Sequence, residues 1–193
     1  MSFKQFIVIP IFVAAQAAVL MLIAPFIPGT PGAIGKGLLA WATFQSWATY
    51  FMAGCTPKMG GKILVGYLGG IIASVAIFEL AAVFAGLNAG DTPWGLYLAV
   101  FIVVIPVIAT ERVPGADFVP AYFVGAGAFF ALMTYVQKPD EVGKILWYVQ
   151  VGTPVMVSCL VGVIFGWITV TIRGAYEKTI APAPTAAEQP DNG

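Results

Sequence analysis

Long apolar runs, each closed by a short turn-forming segment, divide the chain into six. Phe6–Ile27, Gly37–Cys55, Val119–Gln137 and Ile145–Ile172 carry no charge, and Ile63–Leu87 carries only Glu79. Gly95–Val113 is uncharged until Glu111 and Arg112 at its end. About 20 apolar residues at helical rise cross a hydrocarbon layer of roughly 30 Å. Barrel strands are shorter and alternate in polarity, so the pattern predicts an all-α membrane protein with six transmembrane helices. The connecting segments are Pro28–Lys36, Thr56–Lys62, Asn88–Trp94, Pro114–Phe118 and Lys138–Lys144. Lys4 and Ala15-Gln16-Ala17 resemble parts of a cleavable leader, but the apolar run continues through Ile27, which predicts an uncleaved first helix.

Six crossings put Lys4, Lys58, Lys62, Arg112, Arg173 and Lys178 on one side, and Lys36, Lys138 and Lys144 on the other. The positive-inside rule then predicts both termini in the cytoplasm. The six-helix domain is expected over residues 1–173. The segment 174–193, rich in Ala and Pro, is expected as a disordered cytoplasmic tail.

A motif recurs 82 positions along: Pro57 with Gly61-Lys62-Ile63-Leu64, then Pro139 with Gly143-Lys144-Ile145-Leu146. Each copy is preceded by an aromatic helix, and before that by a helix with a late proline, Pro25 or Pro106. The reading is a 3+3 repeat with halves at about 6–87 and 95–173. Three helices per copy force the second copy into the opposite orientation, an inverted-topology arrangement frequent in transporters and some channels.

Of the 193 residues, 60% are hydrophobic and 9% charged, against about 25% charged in ordinary soluble domains. Nine basic and nine acidic residues cancel, which leaves no basic excess for a nucleic-acid partner. The absence of histidine excludes Ser–His and Cys–His nucleophile pairs and imidazole metal sites. Cys55 and Cys159 form no disulfide framework. No catalytic residue, metal ligand or cofactor is expected, and the chain is not read as an enzyme.

Glu79 is the costly residue, an intramembrane carboxylate expected near a pathway, a partner or the bundle interior. It is either a pathway residue or a structural carboxyl bonded to Gln16, Gln45, Gln150 or backbone. Glu111 and Arg112 reach headgroups by snorkelling, or gate with Asp117 or Arg173. The second run places Thr43, Gln45 and Ser46 among five aromatics, with Thr43, Trp47, Tyr50 and Gly54 along one helical face. Aromatic walls with sparse hydroxyl and amide groups suit an uncharged solute, or are ordinary packing. Tyr122 and Phe129 on the fifth run join the pathway candidates. Gly66 and Gly70, and Gly162 and Gly166, have the spacing that lets helices approach closely, and Gly125 and Gly127 are expected to act likewise. Pro154 predicts a kink or a break in the sixth helix.

The segment WATFQSWATYFMAGCTPKMGGK and the later Phe118–Gly125 stretch (FVPAYFVG) resemble the YcdZ-like family of small bacterial inner-membrane proteins. That resemblance implies a bacterial inner membrane and assigns no substrate or residues. The functional expectation is an oligomeric channel or facilitator for a small, largely uncharged solute: an amide or urea, an alcohol or a gas. A proton-coupled transporter using Glu79 and a non-transporting scaffold subunit are the alternatives.

Overall fold

A computed structural model describes residues 2–27 and 37–181. The first connection (Pro28–Lys36, with Lys36) and most of the expected tail lie outside the described residues. The described residues form helices joined by short connections: α1 (Phe3–Phe26), α2 (Ala40–Met52), α3 (Pro57–Val83), α4 (Trp94–Arg112), α5 (Val119–Tyr135) and α6 (Lys144–Ile180). By length and composition, α1, α3, α4 and α6 suffice to cross a membrane, and α5 is a shorter apolar helix. α2 has 13 residues, about 20 Å at helical rise. The second apolar run is longer than its helix because Gly37 (φ +89°), Gly54 (φ +91°) and Cys55 (φ +61°) take left-handed backbone at its two ends.

Two boundaries differ from the sequence expectation. Thr56 accepts a hydrogen bond from the Met59 amide at 3.2 Å, and Pro57 opens α3. An N-cap followed by proline starts a helix, so the expected turn Thr56–Lys62 is mostly the first turns of α3. At the other end α6 runs unbroken past Pro154 and on to Ile180, seven residues into the expected tail. The Tyr176 hydroxyl donates to the Gln5 carbonyl, and Arg173 pairs with Glu177 one turn on; these contacts hold the extension as helix.

Glycines decide how the helices meet. A Cβ at Gly162 of α6 would collide with the Thr43 carbonyl and Ser46 hydroxyl of α2 and lie 2.9 Å from the Trp47 amide. One at Gly70 of α3 would collide with the Tyr122 carbonyl of α5 and lie 2.7 Å from the Ala126 amide. Gly66 stands against Ala121, Gly125 against Tyr67 and Gly166 against Tyr50. Gly127, expected to pack like Gly125, has nothing near it. Residue numbers rise together across both seams, so α2 runs parallel to α6 and α3 parallel to α5. Between α3 and α6 the numbers run oppositely: Gly60 meets Val163, Ile71 meets Gly152, and Glu79 meets Lys144. These contacts step by eleven and then eight residues on both helices, which makes the pair antiparallel and in register. α4 lies against α3 through Ala99 and Val103 packed on Ile77. α1 lies antiparallel to α6, with Gln16 accepting from Thr169 at 2.9 Å.

Candidate functional site

The chain's buried chemistry lies where α2, α3, α5 and α6 meet, between two ion-paired ends. At the end carrying the described start of the chain, Lys62 near the start of α3 donates to Asp117 Oδ2 at 2.7 Å. The Lys62 ammonium holds the Asp117 carboxyl below its ordinary range and ties the α4–α5 connection to α3. Glu111 and Arg112 are exposed at the end of α4. The two gate partners expected for them are engaged elsewhere, Asp117 with Lys62 and Arg173 with Glu177.

At the opposite end Lys144, the first residue of α6, donates to Glu79 Oε2 at 2.7 Å, and the Tyr148 hydroxyl donates to Oε1 at 2.8 Å. The Glu79 side chain keeps 42% of its surface exposed. It is not bonded to Gln16, Gln45 or Gln150, the partners named from the sequence. Because α3 begins at Pro57 and ends at Val83, Glu79 is four residues from a helix terminus, about 6 Å. It therefore clamps two helix ends together.

Two apolar clefts open along the α3–α6 contact. One, of about 440 Å³, lies toward the Glu79 end between Leu68, Ile71, Ile72 and Val75 of α3 and Tyr148 to Val157 of α6. The other, of about 360 Å³, lies toward the opposite end between Pro57, Gly60, Gly61 and Leu64, with Val163, Ile164 and Trp167 across from them and Tyr50 contributing from α2. No charged side chain lines either cleft.

The side chains of these helices are buried against one another. The four bulky pathway candidates Trp47, Tyr50, Tyr122 and Phe129 are buried, and so is Thr43. The structure brings Tyr50 and Phe129 into one apolar cluster with Tyr67 and Cys159. Trp47 packs instead on Phe44 and Phe165, in a cluster shared with α1. The Thr43 hydroxyl is used within its own helix, donating to the Leu39 carbonyl. Gln45 is exposed on the outer face of α2. Gly66, Gly70, Gly162 and Gly166 each stand against a neighbouring helix.

Among the described residues, several buried polar atoms have no hydrogen-bond partner, Trp47 Nε1, Tyr50 Oη and Ser158 Oγ among them. The Tyr67 hydroxyl lies beside Thr49 and Cys159 but forms no hydrogen bond of good geometry. Ser46, by contrast, donates to the Cys159 carbonyl at 2.8 Å. Tyr67 and Ser158 escaped the sequence reading. A signal existed for Ser158, since it extends the Gly162 and Gly166 row by one step of four. None existed for Tyr67, whose neighbours come from other helices.

No group of three or more acidic or cysteine side chains that could hold a metal is present among the described residues. No curated protein and no solved structure matches the chain. A family model does match, over residues 10–174, from within α1 to within α6. The chain therefore belongs to the family described as a protein of unknown function, DUF1097.

Proposed function

We propose that the chain is the subunit of a membrane channel or facilitator for a small, largely uncharged solute, built as two inverted three-helix halves. The observation that carries this reading is the matched pair of helix seams. Gly162 covers the Thr43 carbonyl and Trp47 amide, the two ends of one turn of α2; Gly70 covers the Tyr122 carbonyl and Ala126 amide, the two ends of one turn of α5. Ser46 meets the Cys159 carbonyl as Gly125 meets that of Tyr67. A single pair of offsets, 79 positions between α2 and α5 and 92 between α3 and α6, relates all of these contacts. The equivalent helices run in opposite directions, as inverted repeats require.

The same offsets relate the two clefts, which approach the middle of the α3–α6 contact from opposite ends. Their apolar lining favours neutral species, because an ion entering them finds no countercharge to offset its lost hydration. All six helices cross in this reading, α2 and α5 with the help of their non-helical flanks. Lys4, Lys58, Lys62, Arg112, Arg173 and Lys178 share one face, which the positive-inside rule makes cytoplasmic together with both termini. The YcdZ-like resemblance supports the inner membrane of a bacterium, and the exposed apolar helix faces suit lipid and further copies of the chain. Proton coupling through Glu79 is less well supported, because that carboxylate is clamped at a helix end by Lys144 and Tyr148.

Vesicles reconstituted with the protein are expected to re-swell faster than bare lipid after an osmotic step with urea, acetamide or glycerol. The rate is expected to be unchanged by an uncoupler and in Glu79→Gln. Re-swelling no faster than bare lipid overturns the reading. Uptake that collapses both with the uncoupler and in Glu79→Gln assigns the chain to the proton-coupled transporters.

A further inference from the structure

One polar side chain of α2 sits at the deepest point of the bilayer and faces outward. Ser46 donates to the Cys159 carbonyl at 2.8 Å. Cys159 lies midway along the uncharged stretch of α6 that Lys144 and Arg173 bound, about 22 Å from each at helical rise. The contact therefore sets Ser46, and Gln45 beside it, near the middle of a hydrocarbon layer roughly 30 Å thick. Ser46 is buried against α6, whereas Gln45 is exposed on the opposite side of the helix.

The Gln45 carboxamide has no hydrogen-bond partner among the described residues. The other glutamines of the long helices are better placed. Gln16 accepts from Thr169 at 2.9 Å, and Gln150 lies six residues from Lys144, toward the charged end of α6. Lipid tails at mid-depth offer neither donor nor acceptor, so an amide turned toward them carries its full desolvation cost. Leucine at this position would face lipid without that cost. The neighbours of Gln45 on the same face are Trp41, Ala48 and Met52, all exposed. Their spacing of four, three and four residues is that of a coiled-coil seam, in which one polar residue fixes register and the number of strands.

We propose that this row is the face on which a second copy of the chain packs, α2 against α2, with the two Gln45 amides hydrogen-bonded to each other. The inference rests on the six-crossing arrangement of the proposed function and not on transport. A carboxamide both donates and accepts, so an identical amide completes it. Copies inserted the same way are related by an axis along the membrane normal, and each residue of an isologous contact on that axis meets its own counterpart at equal depth. Ala48, one turn from Gln45, lets the two backbones approach, as small residues do between membrane helices. Trp41 adds relief to the face: with Ala131, Leu132, Tyr135 and Val136 of the α5 end it lines an apolar cleft of about 310 Å³.

The test uses full-length protein in lipid vesicles. In a Cys55→Ser background, Ala48→Cys is expected to form a disulfide-linked dimer under mild oxidant, and Phe101→Cys, on the exposed face of α4, is not. Energy transfer between copies labelled at Cys55, followed as lipid is added, reads the dissociation constant. Gln45→Leu is expected to raise it at least tenfold while leaving the thermal midpoint level. Wild type that is monomeric in vesicles gives the face to lipid and overturns the proposal, as does an unchanged constant in Gln45→Leu. Ala48→Cys that links only to a different protein in native membranes overturns it too. Re-swelling in the same vesicles separates the two readings: a monomer that passes solute keeps the channel and loses this interface, and a dimer that passes nothing does the reverse.

Discussion

Valine at Gly162, or at Gly70, is expected to cost the protein its fold. Each added side chain begins where the backbone of the neighbouring helix already stands: the Thr43 carbonyl for Gly162, the Tyr122 carbonyl for Gly70. A flexible side chain can turn away from an intruding methyl group, but a helix backbone moves only as a body. Overpacking a core costs about 1–3 kcal/mol, and a clash with backbone at a helix seam belongs at the upper end. Gly127→Val is the control, because nothing lies within 4 Å of that position. Thermal unfolding in detergent is expected to show a large fall in midpoint, or no folded protein, for the two seam variants and little change for the control. If the two halves are equivalent, the two seam variants fail to a similar degree. A benign Gly70→Val beside a damaging Gly162→Val would show that only one seam is structural.

Phe129→Ala is expected to have the next largest effect, on stability. Phe129 is wholly buried, and its ring lies 6.5 Å from Phe78 on α3 and 6.3 Å from Tyr148 on α6, centroid to centroid. It therefore joins three helices. Truncating a buried phenylalanine costs about 3–5 kcal/mol in soluble cores. In a bilayer the transfer part of that cost shrinks, because lipid is as apolar as the core; lost packing remains, and about 3 kcal/mol is expected. Phe101, 68% exposed on α4, makes the comparison: Phe101→Ala is expected to leave the midpoint nearly unchanged. Equal effects at the two positions would mean that Phe129 lines open space, as a pathway wall would.

The apolar runs located the helices because every crossing segment must satisfy its backbone internally and be apolar along its length. Boundaries were less legible. Thr56 and Pro57 read as a turn by composition, yet act as a cap that starts α3. The helical extension past Arg173 depends on Tyr176 reaching Gln5 at the other end of the chain, a contact that no local pattern announces. The small-residue spacing of Gly66, Gly70, Gly162 and Gly166 was legible as a packing signal, and each of the four stands against a neighbouring helix. It did not identify which helix each one meets.

Glu79 illustrates the limit for the candidate site. Its cost in hydrocarbon was evident from the sequence. Its partner was not, because Lys144 is 65 positions away and the two meet only through the antiparallel register of α3 and α6. The repeated Gly-Lys-Ile-Leu motif likewise pointed to a duplication, but at an offset of 82. In the proposed inverted arrangement the seams relate the short helices at 79 and the long ones at 92. Under that equivalence α5 runs four residues further than α2, the α5–α6 connection is four residues longer than the α2–α3 one, and α6 starts five residues earlier than α3, so no single sequence shift aligns both helices of a half.

Everything proposed here requires the two halves to point in opposite directions across the membrane. The direct measurement is labelling of single cysteines by an impermeant maleimide in sealed vesicles of known orientation. The native Cys55 is one reporter; Ala89→Cys, Ala116→Cys and Asp140→Cys in a Cys55→Ser background are the others. The account predicts that Cys55 and Ala116→Cys label from the side of the chain termini, and that Ala89→Cys and Asp140→Cys label only from the opposite side. Labelling of Cys55 and Ala89→Cys from one and the same side would contradict it.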